Sequence, residues 1–347
     1  MAAAPLARAV VKATRDGLTA EDRALAEECP VAMVFDGGTQ AVMMATPRDL
    51  EDFARGFAKT EGFIASDADI REIEIVRHEA GEGIEARLWL DAAQSKALQA
   101  RRRSMMGPVG CGLCGIDSLA QAMRDIALLP YDLAPLPLTP LLGAAEALRG
   151  HQPLHDETHA VHAAGFFHPS QGIVLAREDV GRHNALDKLI GAMGAAHIDP
   201  TAGAIVITSR VSVEMVQKTV IAGAPVLIAV SAPTALALDV ADQARLCVAA
   251  LARKGQFEIF THPQRIEQGY ITMASDKLIT MANQIATFFE SQKGDDLAER
   301  VAAHLNDFWG PEMRADFVGL VSDSSQAGRL HPLARDAVAL LRLPQDV

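Results

Sequence analysis

The sequence predicts an α/β protein with a small α+β subdomain ahead of it and an all-helical module behind it. Three observations carry this expectation. Between residues 173 and 251, short and continuously apolar runs alternate with helical stretches, as strands buried on both faces do. Before residue 91, apolar and charged residues alternate in segments paired across glycine-containing turns, the pattern of half-buried hairpins. After Arg265 the strand pattern stops and amphipathic helices take over. The boundaries this suggests are 1–104 for the N-terminal subdomain, 105–267 for the core and 273–347 for the helical module.

The bulk numbers narrow the class. A formal net charge of −12 argues against broad nucleic-acid binding, though not against a local basic pocket. No run is long and apolar enough to cross a bilayer, and the first residues lack the apolar centre of a signal peptide, so no membrane association is expected. Four unevenly spaced cysteines do not make a disulfide framework, which leaves the cytoplasm as the expected compartment.

In chain order, a polar lead precedes two strands, 31–35 and 40–44, joined at Asp36-Gly37-Gly38-Thr39. Thr46-Pro47-Arg48-Asp49 reads as an N-cap with proline in the first turn, and the apolar spacing after it as a helix ending at Gly62. A second hairpin spans 73–90, and a helix over 91–103 leads to a glycine-rich loop. Four prolines between 130 and 140 form a stiff connector, and Thr139-Pro140 opens a short helix.

The loop holds Cys111-Gly112-Leu113-Cys114, just ahead of a helix expected over 117–126. Unpaired N–H groups and the helix dipole favour a thiolate there, the nucleophilic and metal-binding form of cysteine. A structural zinc site needs four ligands, and no second Cys-x-x-Cys supplies the other half. Cys29 and Cys247 stand alone in apolar surroundings and read as buried, inert thiols. Arg101-Arg102-Arg103 beside the loop has two readings, the edge of a phosphate pocket or a solvated helix end.

His155-Asp156-Glu157-Thr158-His159 has the outline of a zinc-protease motif, but its second residue is Asp156 and a strand is expected from 160. His151, His155, His159, His162 and His168 are therefore read as scattered surface or strand residues, with no permanent metal expected. The next strand, 173–176, runs into a turn crowded with Glu178, Asp179, Arg182, His183 and Asn184, either ligand groups at a strand-to-helix turn or a helix cap with a local ion pair. Strands at 204–208, 225–230, 246–251 and 257–260 alternate with helices at 213–222 and 234–244, which suggests a largely parallel sheet. In the tail, Ser275 or Asp276 is expected to cap a helix through Phe288, followed by helices over 298–308 and 331–341.

Taken together, residues 30–266 resemble the formate dehydrogenase accessory sulfurtransferases (FdhD type). The resemblance rests on Met43-Met44-Ala45-Thr46-Pro47 with Glu61-Gly62, on Cys111-Gly112-Leu113-Cys114-Gly115, and above all on the block from Arg177 to Leu189. Glu214-Met215-Val216-Gln217-Lys218, Ala229-Val230-Ser231-Ala232-Pro233-Thr234 and Thr261-His262-Pro263 complete it, and His162 matches a family histidine ahead of that block. Thr208-Ser209-Arg210 departs from the expected Ser-Gly-Arg, and the deaminase zinc signature is absent because Gly110 precedes Cys111. Residues 273–343 resemble the delta subunit of NAD-dependent formate dehydrogenases through Met281-Ala282-Asn283-Gln284-Ile285-Ala286, Phe288-Phe289, Phe308-Trp309 and Met313-Arg314.

The resemblance implies a cytidine-deaminase-like core and a sulfur relay. A cysteine desulfurase passes persulfide sulfur to Cys111, with Cys114 assisting, and the sulfur moves on to the molybdenum of bis(molybdopterin guanine dinucleotide) for formate dehydrogenase. Phe257, Glu258, Ile259, Phe260, Thr261 and His262 are the implied contacts to that client cofactor and to guanine-nucleotide-like ligands, with His162, Arg182, His183 and Asn184 as further cofactor-binding residues. The implied partners are the desulfurase, the catalytic subunit of the dehydrogenase and a second copy of the chain. The alternative is a non-catalytic chaperone that escorts the cofactor.

Overall fold

The structure is a computed structural model, which describes residues 6–79, 83–96, 127–267, 272–292, 294, 296–322 and 328–342. Cys111 and Cys114, the arginines 101–103, the helix expected over 117–126 and the joint at 268–271 lie outside the described residues. The chain falls into two compact units, Met1–Glu267 and Gln268–Val347. No helix among the described residues is long and apolar enough to cross a membrane.

The first unit opens with a hairpin where only a polar lead was expected. Strands β1 (Leu6–Thr14) and β2 (Gly17–Leu25) pair antiparallel along their full length. The alternation that makes them strands was hidden by alanine, which fills most of one face without reading as a hydrophobic run.

A four-stranded sheet follows, in the order β4-β3-β6-β5, from β3 (Cys29–Phe35), β4 (Gly38–Ala45), β5 (Ile70–Arg77) and β6 (Ile84–Leu90). Its inner face, with Val31, Met33, Phe35, Ala86 and Leu88, buries against Phe53, Ala54 and Phe57 of helix α1 (Leu50–Thr60). That helix begins later than the expected cap at Thr46. Asp49 enters it in the left-handed conformation (φ 52°), and Thr46 is drawn into the core by Asp179 and Val180 instead.

The connector after Pro130 contains β7 (Leu136–Pro137), then short helices α2 (Leu138–Leu141), α3 (Ala144–Arg149) and α4 (Pro153–Thr158). Residues 153–158 are therefore helical, with Pro153 in the first turn, and His155 and His159 belong to this helix and its cap rather than to a strand.

The main sheet has six strands in the order β13-β12-β11-β10-β8-β9. They are β8 (His162–His168), β9 (Gly172–Asp179), β10 (Ala204–Ile207), β11 (Val226–Ala229), β12 (Cys247–Arg253) and β13 (Gln256–Ile259). Only the β10–β11 and β11–β12 pairs are parallel, so the sheet is mixed rather than largely parallel. Tight turns fold β9 back on β8 and β13 back on β12, each with a glycine at positive φ, Gly172 and Gly255. Helices α5 (Arg182–Ala195), α6 (Val213–Ala222) and α7 (Ala235–Gln243) cover one face. Leu141, Ala144 and Leu148 of α2 and α3 cover the other. Along β10, Ile205 and Ile207 face the first layer, while Ala204 and Val206 face the second. A last strand, β14 (Ile266–Glu267), pairs with β7.

Cys247, at the start of β12, is fully buried, and burial pushes its thiol up to about 12. Cys29, expected to be buried, is only half-buried.

The second unit is helical: α8 (Thr272–Glu290), α9 (Leu297–Phe308), α10 (Pro311–Ser322) and α11 (Pro332–Asp336), with a 3-10 turn at Ala337–Leu340. The first helix starts ahead of the expected cap at Ser275 or Asp276, and the expected helix over 331–341 is divided in two. Helix α10 was not foreseen. Leu278, Ala282, Val301, Leu305, Trp309 and Phe317 form the core of this unit.

Candidate functional site

Strands β9, β10, β11 and β12 all point the same way, so their C-terminal ends share one edge of the main sheet with the start of β8. The turns after β9, β10 and β11 lead directly into α5, α6 and α7, so three helix N-termini gather at that edge, where sheets of this kind bind ligands.

His162 opens β8 directly opposite Asp179, the last residue of β9. Asp179 is fully buried and accepts from Gly181 N (2.8 Å), Asn184 Nδ2 (2.9 Å), Thr46 N (3.0 Å) and Lys188 Nζ (2.6 Å). Asn184 also donates to the Met44 carbonyl, and Lys188 to that of Thr46. Asp179, Asn184 and Lys188 are thereby committed to fixing the turn and tying it to the N-terminal sheet. These bonds hold Arg182 and His183 at the start of α5.

Arg182 Nε is buried with no hydrogen-bond partner among the described residues. Burial first, and the Arg182 charge second, lower the His183 pKa to about 4, so the imidazole is neutral near pH 7. The same two causes lower that of His162. Glu214, at the start of α6, accepts from Ser212 Oγ at 2.9 Å. Burial pushes its carboxyl up, but that bond and the nearby His183 hold it below the usual range. The edge therefore offers a cation with an orphaned N–H, two neutral imidazoles and one carboxylate.

A second buried lysine belongs to α6. Lys218 Nζ donates to Asp187 Oδ1 and Oδ2 (2.8 and 2.9 Å), Thr60 Oγ1 (2.8 Å) and Glu61 Oε1 (3.1 Å). Burial works against the ammonium, but Asp187 and Glu61 outweigh it and raise the pKa above its ordinary value. Neither lysine network was anticipated. The available signal was a charge inside a helix apolar all round, as in Leu186-Asp187-Lys188-Leu189-Ile190.

Residues 257–262 are placed differently. Strand β13 runs antiparallel to β12, so Phe257 begins near the edge just described, while Thr261 and His262 end at the opposite one. The Thr261 hydroxyl donates to Leu246 O (2.7 Å) and accepts from Val248 N (3.0 Å), which stitches β13 to β12. His262 Nε2 lies 2.8 Å from Asp242 O. Ile259 and Phe260 are each 38% exposed, whereas Phe257 packs partly into the core. His162, Arg182, His183 and Asn184 are thus brought together, and Thr261 and His262 stand apart from them. Beside this second edge, Leu129 N donates to Ala244 O (3.1 Å) and Arg265 Nη2 donates to Pro130 O (2.6 Å), so the chain leaving the cysteine segment is anchored close to Thr261 and His262.

Two clefts flank α4. One, of about 560 Å³, is lined by His155, His159, His162, Thr208, Val230 and Arg253. The other, of about 730 Å³, includes Arg48, Asp52, His151, Arg177 and Glu178. The His155 and His159 rings meet edge to face at 5.5 Å. Among the described residues, no group of three or more His, Cys, Asp or Glu is placed to hold a metal ion.

Comparison with known proteins gives two family matches: FdhD/NarQ over residues 26–267, and the NADH-dependent formate dehydrogenase delta subunit FdsD over residues 277–338. A relative named sulfur carrier protein FdhD, from Agrobacterium fabrum, is 52% identical over 255 residues, covering 73% of this chain and 93% of its own. Another of that name, from Bordetella petrii, is 45% identical over 264 residues, covering 75% and 94%. A crystal structure from Desulfotalea psychrophila, described as a formate dehydrogenase accessory protein, shares the fold with a TM-score of 0.61 at 23% identity. It covers 76% of this chain and 100% of its own.

Proposed function

The chain belongs to the FdhD/NarQ family, and on that premise we propose that it is a sulfur carrier for formate dehydrogenase. The observation that carries the reading is the Cys111-x-x-Cys114 pair inside the span shared with relatives named sulfur carriers. In the proposed relay, the Cys111 thiolate attacks the outer sulfur of a persulfide on a cysteine desulfurase. The S–S bond of the donor breaks, Cys111 becomes the persulfide and the desulfurase thiolate leaves. Cys114, three residues on, is the second thiol that receives or releases the sulfur. The client is the molybdenum of bis(molybdopterin guanine dinucleotide), which takes the sulfur as substrate on its way to the catalytic subunit of the dehydrogenase.

The proposed cofactor contacts are of two kinds. Arg182, with its orphaned Nε, and the neutral His183 and His162 offer N–H donors to an anionic group, while Asn184 shapes the turn that presents them. Exposed Phe260 and Ile259 offer an apolar surface for a flat ring at the other edge. The proposal includes a cytidine-deaminase-like arrangement of the core, a cytoplasmic setting and a homodimer. The match of the second unit to a dehydrogenase subunit supports its role as the docking module.

Mass spectrometry after incubation with a cysteine desulfurase and cysteine tests the relay. One added sulfur on Cys111, absent from Cys111→Ala, is the expected result, and loading of Cys111→Ala at the wild-type rate refutes the carrier assignment. Calorimetry tests the cofactor reading: GDP, which shares the terminal group of the client, should bind more tightly than ADP.

A further inference from the structure

Helix α4 has little support at its own start. Pro153 opens it, and Gln152, at the cap position, makes no side-chain cap bond. The first N–H groups of a helix find no acceptor within it. Glu178, next to last in β9, supplies the missing acceptors: its Oε2 accepts from Leu154 N and its Oε1 from His155 N, both at 2.8 Å. Burial pushes this carboxyl above its ordinary range, against the pull of those two bonds. Six residues are too few to hold a helix in water, and α4 has a cleft on either side. Its position therefore depends on this cap from another element.

What α4 carries is a pair of imidazoles. His155 Nδ1 lies 3.3 Å from Val161 O. That carbonyl can only accept, so Nδ1 holds the proton and Nε2 is left as an acceptor for a client N–H or O–H. His159 ends the helix at φ 55°, and its ring meets that of His155 edge to face. Both line the smaller cleft together with His162. Burial first, Arg182 second and His155 third lower the His162 pKa, so His155 stands within electrostatic reach of that group. We infer that Glu178 is a positioning residue for the cofactor-binding edge: by capping α4 it holds His155 and His159 in the cleft beside His162, where they add hydrogen-bonding groups for the client.

The inference rests on the cofactor reading above, and calorimetry with GDP on the full chain separates the two. Glu178→Ala should bind GDP about tenfold more weakly than wild type, with Glu178→Gln, which keeps one acceptor oxygen, in between. Hydrogen exchange in Glu178→Ala should quicken at Leu154 and His155 while β8 and β9 stay protected. The loss of affinity should vanish when His155 and His159 are already replaced by glutamine, because the carboxylate acts through them. If Glu178→Ala does not fold, the same comparisons in Glu178→Gln decide. A wild type that does not bind GDP overturns the cofactor reading and this role with it. Affinity or exchange unchanged in Glu178→Ala, or a loss of equal size in the glutamine background, overturns the positioning role alone.

Discussion

Gly56 of α1 and Gly191 of α5 meet backbone to backbone: a Cβ on Gly191 would lie 1.9 Å from the Asp52 carbonyl oxygen, and one on Gly56 1.7 Å from that of Asp187. Glycine inside a helix ordinarily weakens it, and here its missing side chain is what lets the two axes approach. Gly191→Ala should therefore lower stability by about 4 kcal/mol or more, in the range reserved for severe core disruptions. Urea unfolding checks this against Gly143→Ala, whose Cβ would meet its nearest neighbour at an ordinary 3.8 Å.

Lys218 has two carboxylates and a hydroxyl as partners inside the protein. Lys218→Met leaves the Asp187 carboxylate in the core without a cation, and Asp187→Leu leaves the buried ammonium with only Glu61 and Thr60. Each should cost about 3–5 kcal/mol, and the double variant clearly less than their sum. A double-mutant cycle from denaturant midpoints measures the coupling. Strict additivity would show that the bonds seen between the two side chains carry no energy of their own.

Acid should weaken the fold through His183. Its pKa is about 4 in the native state, lowered by burial first and Arg182 second, against an ordinary 6.5. Between these values the unfolded chain holds the proton and the native one does not, so stability rises with pH. The contribution is complete above about pH 6.5 and is lost on the way down to about pH 4, on the order of 3 kcal/mol in all. His162 is lowered too and acts in the same sense. Glu214, held below its ordinary value, adds a loss only under more acid conditions. His183→Gln should flatten the dependence of the urea midpoint on pH between 6.5 and 4.5, and a slope equal to wild type would rule out this origin.

Removal of residues 268–347 should leave the first unit melting at its wild-type temperature, because its four-stranded and six-stranded sheets are complete by Ile266. Co-purification with formate dehydrogenase should fall. A large drop in melting temperature would show that the helical unit stabilises the first.

Much of this architecture was legible because the apolar runs of β10 to β12 and the amphipathic spacing of α1 follow simple periods. The turn carrying Arg182 and His183 was legible as a polar strand-to-helix turn with two readings, and the cap with a local ion pair describes Asp179, Asn184 and Lys188. Strand direction was less so: periodicity does not report whether a neighbour runs parallel, and the short returns at Gly172 and Gly255 decided it. Thr46 shows a second limit. Its local sequence is a good helix cap, and long-range bonds to Asp179 and Val180, more than 130 residues away, overrode that preference. The separation of Thr261 and His262 from Arg182 was hidden for the same reason, because it follows from the antiparallel return of β13.

Cys247 has a practical consequence for work on the relay. Its sulfur is sealed beneath the sheet and its thiolate is scarce at neutral pH, so alkylating reagents will pass it by while the unit stays folded. A titration of reactive thiols under native conditions will therefore leave this residue out. Added denaturant should bring it into reaction at the pace of global opening, which makes its modification rate an internal clock for the lifetime of the folded carrier.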